Sequence, residues 1–111
     1  LITVGSFKTA RKYIHIKDVC EGIIKSLKLK KFNIINLQGK NLVSLKRLIM
    51  ISQKILKKKI LINKNDFENI SIRNISSSQS SKKIKFKPKI SIERGLIRLK
   101  SYFSGSILNI N

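Results

Sequence analysis

A chain of 111 residues holds one domain at most, and with 41% hydrophobic residues it is not compositionally disordered. Its single cysteine, Cys20, excludes an internal disulfide, and no apolar run approaches the roughly 20 residues that span a bilayer. Lys and Arg number 25 against 5 Asp and Glu, a formal charge of +20, which raises polyanion binding as a function. The 20 Lys, 21 Ile and 9 Asn beside only 5 Arg speak instead for biased residue usage. The cations are also spread along the whole chain, and Trp is absent, so base-stacking platforms are scarce. Nucleic acid is therefore not the expected partner. A small basic nucleic-acid-binding protein remains the alternative.

Leu1–Val4 reads as a strand already under way, without the basic flank of a signal peptide, and hints at truncation. Gly5 opens a polar turn, and Tyr13–Ile16 is a second short strand. Asp18 fits a helix N-cap, with Glu21 three residues on completing a capping box. Cys20, Ile23, Ile24 and Leu27 recur at helical spacing and predict one buried stripe. Phe32–Leu37 is a compact apolar run stopped by Gln38-Gly39-Lys40-Asn41, as in a buried strand.

Ser44 caps a second helix in which Leu45, Leu48, Ile49, Ile55 and Leu56 share a face, ending at Lys57-Lys58-Lys59. A brief strand at Ile60–Ile62 and a polar loop at 63–69 come next. Ile70–Ile75 alternates in the manner of a half-buried strand. The serines of 76–81 start a helix of one or two turns, and Ile84 and Phe86 alternate with lysines up to Pro88, which bars a helix there. Ser91 caps the last helix, with Ile92, Leu96, Leu99 and Phe103 on one stripe; residues 104–111 read as a frayed tail.

No G-x-G-x-x-G turn and no phosphate loop occur, and one Cys with one His cannot build a zinc site. His15 lies between Ile14 and Ile16, where packing in a core or at an edge outweighs general-base chemistry. The five acids are scattered. No catalytic, cofactor-binding or metal-binding residue is assigned.

Four blocks nevertheless carry a resemblance. Arg11-Lys12-Tyr13-Ile14-His15-Ile16-Lys17-Asp18-Val19 resembles the R-D-Y-I-H-V-x-D-V signature of the extended short-chain dehydrogenases, the NAD-dependent sugar-nucleotide epimerases and dehydratases. Phe32–Gly39 is similar to that family's Y-N-I-G-S-G strand end, with Asn36 and Gly39 in register. Val43–Ile49 resembles its v-S-l-x-e-l helix start. Arg73–Ser76 and Phe86–Leu96 resemble R-x-x-D-i-s and w-x-P-x-v-s-l-e-e-G-l. The departures are Lys12 and Arg94 in place of acids, Ser76 in place of Asp, and Lys85 in place of a Gly. No arginine precedes Asn65-Asp66, where many epimerases have an R-x-G-D.

The resemblance implies an α/β fold, the C-terminal segment of a Rossmann-type enzyme, with short strands alternating with about four helices over residues 1–103. It implies that Arg11 and Arg73 contact the diphosphate of a nucleotide-sugar substrate, a task suited to guanidinium forks. Tyr13 is the third candidate substrate-binding residue, although as a strand aromatic it equally suits the core. The intact family uses NAD(P) and a Y-x-x-x-K pair, is often homodimeric and is cytoplasmic. By resemblance, the Asp18 helix and the Phe32–Leu37 strand pack onto the end of the NAD domain, while the Ser44 helix and the residues after Ile60 form most of the substrate lobe. With the N-terminal NAD domain and its motifs missing, this chain alone is expected to bind no cofactor and to be inactive. A structural subunit that completes another chain is a third reading.

Overall fold

The computed structural model describes residues 1–64, 70–76 and 78–110, with the side chains of 106–110 left aside. In chain order the elements are β1 (Ile2–Val4), β2 (Ala10–Arg11), α1 (Ile16–Ser26), β3 (Val43–Ser44), α2 (Leu45–Leu56), β4 (Ile62–Lys64), α3 (Ser78–Ile84) and α4 (Ile92–Ile110). Short strands and four helices alternate among the described residues, as the sequence led one to expect. β1 and β4 pair in parallel, Ile2 opposite Ile62, and β2 and β3 pair antiparallel, Ala10 opposite Ser44. Ile72 bridges Ala10 in parallel from the other side. The result is a slab of 49 × 43 × 19 Å with a radius of gyration of 17.0 Å. A compact domain of about 100 residues has a radius near 13 Å.

Helix starts illustrate how local chemistry and tertiary contacts divide the work. Ser44 caps α2 as read from sequence, its Oγ accepting from the Arg47 N–H at 3.2 Å, and the Thr9 and Phe7 carbonyls accept from Leu45 and Lys46. Ser91 does the same for α4 through Arg94 N–H at 3.3 Å. At α1 the expectation of an Asp18 cap is corrected. The cap is His15, whose Nδ1 accepts from Lys17 N–H at 3.1 Å. Asp18 sits in the first turn, 2% exposed, and its Oδ2 accepts from the backbone N–H groups of Lys89 (3.1 Å) and Ile90 (2.9 Å). Pro88 keeps those amides out of a helix, so a remote carboxylate satisfies them. Glu21 is no capping-box partner either; it pairs with Lys25 at 3.1 Å and Lys89 at 3.2 Å. Those two lysines, Lys25 first, hold its carboxyl below the usual range.

The strands shift too. The ladder near Arg11 is Ala10–Arg11 rather than Tyr13–Ile16: Ile16 already belongs to α1, and residues 12–15 pair with no strand among the described residues. β4 lies two residues later than Ile60–Ile62, so Asn63 and Lys64 belong to it; the rest of the expected loop, 65–69, lies outside the described residues. The 70–75 strand reduces to the single Ile72 bridge, and Phe32–Leu37 pairs with no strand among the described residues. α3 supplies the expected short helix, with residue 77 outside the described set, and α4 runs through 104–110, where composition alone left a loose end.

The hydrophobic core is small: Ala10, Val43, Ile84 and Phe86 are its buried apolar members. The expected buried stripe of α1 is instead exposed, with Leu27 at 78%, Ile24 at 65%, Ile23 at 52% and Cys20 also open. What α1 turns inward is Asp18 and Gly22; a Cβ on Gly22 would lie 2.6 Å from a Leu37 methyl. Gly39 is equally constrained, since its missing side chain makes room for the Tyr13 carbonyl.

Two lysines hold left-handed backbone, Lys57 (φ 53°) closing α2 and Lys85 (φ 51°) following α3. Lys85 stands where the resembled family carries glycine, and its conformation gives the reason glycine suits the place. Lys85→Gly is expected to raise the denaturant midpoint, by about 0.5–1 kcal/mol of stability. Asp18→Ala strands two amides and is expected to cost about 2–3 kcal/mol in the same measurement.

Candidate substrate-binding site

Arg11 ends β2 and Arg73 follows the Ile72 bridge, so their backbones are neighbours. Ala10 N–H donates to the Ser71 carbonyl at 3.0 Å, and Arg73 N–H donates to the Ala10 carbonyl at 3.2 Å. Two arginines 62 positions apart in sequence thus meet through one pair of backbone bonds. The Arg11 guanidinium is held: Nη1 donates to the carbonyls of Ala10 (2.8 Å) and Ser71 (2.7 Å), and Nη2 to the Ser71 hydroxyl (2.9 Å). Arg73 is exposed, and its side chain makes no hydrogen bond or ion pair among the described residues.

The far side of the 70–76 segment is tied down as well. The Ile75 carbonyl accepts from Gln38 Nε2 and from Lys12 Nζ (3.4 Å), and the Ser76 carbonyl accepts from Asn36 Nδ2 at 3.3 Å. Gln38 is buried. Asn36 and Gly39, which the sequence suggested for a strand-to-loop turn, lie instead in irregular chain with neither strand nor turn, where Gly39 N–H donates to the Lys12 carbonyl at 3.3 Å. The segment bearing Arg73 is therefore clamped between β2 and the 36–39 chain.

Electrostatics leave this place open to an anion. The acids among the described residues are Asp18, Glu21 and Glu93. Asp18 serves the Lys89 and Ile90 amides, Glu21 serves Lys25 and Lys89, and Glu93 lies 3.8 Å from Arg47. No carboxylate among the described residues pairs with Arg11 or Arg73. Two arginines on neighbouring backbone segments, without a carboxylate partner among the described residues, suit a polyanionic ligand.

Tyr13 is placed apart from this pair. It is 41% exposed, so the core position its strand pattern allowed is not what it occupies. It lines two clefts with Ile90, Ser91 and Ile92, and neither Arg11 nor Arg73 lines them. A concavity of about 1060 Å³ between α2 and α4 is also lined by neither arginine. His15 is half-buried and caps α1. Ser71 and Gln38 are the contributors that sequence reasoning missed. Their roles come from a register 60 and 37 residues long, and no local pattern signals either. No group of three metal-ligating side chains forms among the described residues.

The fold recurs in solved nucleotide-sugar enzymes. UDP-glucuronic acid 4-epimerase from Bacillus cereus, in complex with UDP-glucuronic acid and NAD, superposes with a TM-score of 0.81 at 24% identity, over 95% of this chain and 35% of that one. UDP-glucose 4-epimerase from Thermotoga maritima, with UDP-glucose, gives 0.86 at 15% identity, over 96% and 35%. These likenesses define a Rossmann-type epimerase fold. In sequence, UDP-glucuronate 4-epimerase of Thermodesulfobacterium geofontis is 34% identical over 97 residues, 85% of this chain and 30% of the relative. No family model matches the chain. The chain belongs to the NAD-dependent nucleotide-sugar epimerase/dehydratase family and spans about a third of the length of the relatives it matches.

The clamp on the 70–76 segment is testable. Gln38→Ala removes the buried amide on Ile75, and hydrogen exchange at the Arg73 N–H is expected to speed up about tenfold, with α2 amides unchanged.

Proposed function

We propose that this chain is the C-terminal, nucleotide-sugar-binding part of an NAD-dependent epimerase or dehydratase. In this reading Arg11 and Arg73 grip the diphosphate of a UDP-sugar. The observation that carries it is a pair of arginines on bonded neighbouring backbone segments, with no carboxylate partner among the described residues. Support for the ligand class comes from the relatives, whose names specify UDP-glucuronate and UDP-glucose. Tyr13, on a separate cleft, is the weakest member of the proposed set and belongs to the sugar side of the ligand.

NAD is part of the family's chemistry, where it oxidises the bound sugar transiently. This chain offers it no fitting site, since the sequence has no glycine-rich dinucleotide turn, and its single Y-x-x-x-K spacing, Tyr13 to Lys17, straddles the His15 cap and the start of α1 inside the Arg11–Val19 block. No step through the nicotinamide is therefore assigned to these residues. An NAD-binding domain must come from the rest of a longer polypeptide or from another subunit. The surface that would receive it is the uncovered apolar side of α1 together with Phe32 (90% exposed) and Ile34 (73%). Exposed apolar area on that scale marks an interface. A cytoplasmic setting is part of the same reading; among the described residues no helix is long and apolar enough to cross a membrane.

The test is titration of the 111-residue chain with UDP. The wild type is expected to bind and to release UDP as salt rises. Arg11→Ala and Arg73→Ala should each weaken binding about tenfold, the cost of a charged hydrogen-bond pair. No turnover of UDP-glucuronate is expected with NAD present, and turnover by this chain alone would refute the inactive-part reading. The basic-protein alternative predicts tight duplex DNA binding with a steep salt slope, unaffected by Arg11→Ala.

A further inference from the structure

The geometry points to Ser71 as the positioning residue that sets which edge of the Arg11 guanidinium meets the ligand. The inference rests on the proposed diphosphate site. A guanidinium carries five N–H donors in a rigid plane. Three are engaged here: both on Nη1, by the Ala10 and Ser71 carbonyls, and one on Nη2, by the Ser71 hydroxyl. Ser71 thus takes the end-on edge of the fork with two of its own oxygens, at 2.7 and 2.9 Å.

What remains is the Nε–H and the second Nη2–H, which lie side by side on one edge of the plane. Neither has a partner among the described residues. A side-on pair of that kind takes two oxygens of a single phosphate bidentately. An arginine free to rotate would offer either edge and lose rotamer entropy on binding; one already fixed loses less. Ser71 is itself fixed, because its carbonyl also accepts from Ala10 N–H at 3.0 Å. Lysine in place of Arg11 would present a point charge with no edge to select.

The arrangement fits a diphosphate whose two phosphates are shared between neighbours, one on the side-on edge of Arg11 and the other toward the exposed Arg73. Ser71 acts only through Arg11. It touches no reacting atom and is not a catalytic residue.

UDP affinity of the intact chain, read by calorimetry, is the first measurement. Ser71→Ala is expected to weaken UDP by about 3- to 10-fold, Ser71→Thr to restore it by keeping the hydroxyl, and Ser71→Ala to add nothing in an Arg11→Ala background. Loss that persists in the Arg11→Ala background would mark a merely structural role and overturn the inference. If Arg11→Ala weakens UDP while Ser71→Ala does not, the positioning role fails and the diphosphate site stands. If neither change moves UDP affinity, the site itself fails and the positioning role with it. A second readout needs no ligand: nitrogen-15 spectra of the arginine side chains should resolve two separate Hη2 signals for Arg11 in the wild type and average that pair in Ser71→Ala, the Nη1 pair staying held by the two backbone carbonyls. Averaged signals in the wild type would also overturn the inference.

Discussion

The buried carboxylate of Asp18 holds the two ends of this chain together. It lies in the first turn of α1 and accepts from two consecutive amides just past Pro88, 71 and 72 residues away. Those amides have no helical partner, because the proline and its approach are extended. Satisfying them from α1 sets where α4 begins, since Ser91 caps it one residue later. Glu21, one turn on, adds an ion pair to Lys89 on the exposed side of the same joint. Across it, a Cβ added to Gly95 would lie 3.4 Å from His15 Cδ2, so the cap of α1 and the first turns of α4 share one seam. Arg11 is only a few residues upstream.

The slab shape has a direct physical meaning. The four buried apolar side chains among the described residues cannot by themselves offset the conformational entropy of about a hundred ordered residues. The apolar residues are present in number, but they face outward: Ile23, Ile24 and Leu27 on α1, Phe32 and Ile34 on the extended run, Met50 and Ile97 between α2 and α4. Such a distribution leaves apolar faces of α1 and of the extended run without cover among the described residues. It accounts for the strand-like composition of Phe32–Leu37 without a strand: an extended apolar run needs a neighbour to form a ladder.

The arginine pair shows where a motif ends and a tertiary site begins. Arg11 stood out because arginine is rare in a lysine-rich chain and fell at a matching position. Arg73 stood out for the same reason. Their adjacency was not legible, since it depends on the Ala10–Ile72 register. Ser71 was invisible for the same cause: serine is common here, and only the three bonds from Arg11 to Ala10 and Ser71 single it out. Lys85 worked in reverse. The sequence showed a departure from glycine, and the positive φ explained what that departure costs.

By itself the sequence determined the local features: the Ser44 and Ser91 caps, the approximate number of helices, the break at Pro88, and the family pattern that names Arg11 and Arg73. Each arises from interactions among residues a few positions apart. Only the tertiary structure decided that Asp18 serves distant amides instead of its own helix, that His15 takes over the cap, that the α1 stripe faces outward, and that Ser71 holds Arg11. Those outcomes depend on which segments meet across 60 or more residues, and on whether a partner surface exists to bury an apolar face. A hydrophobic period states that a face wants cover. It does not state whether these 111 residues contain the cover.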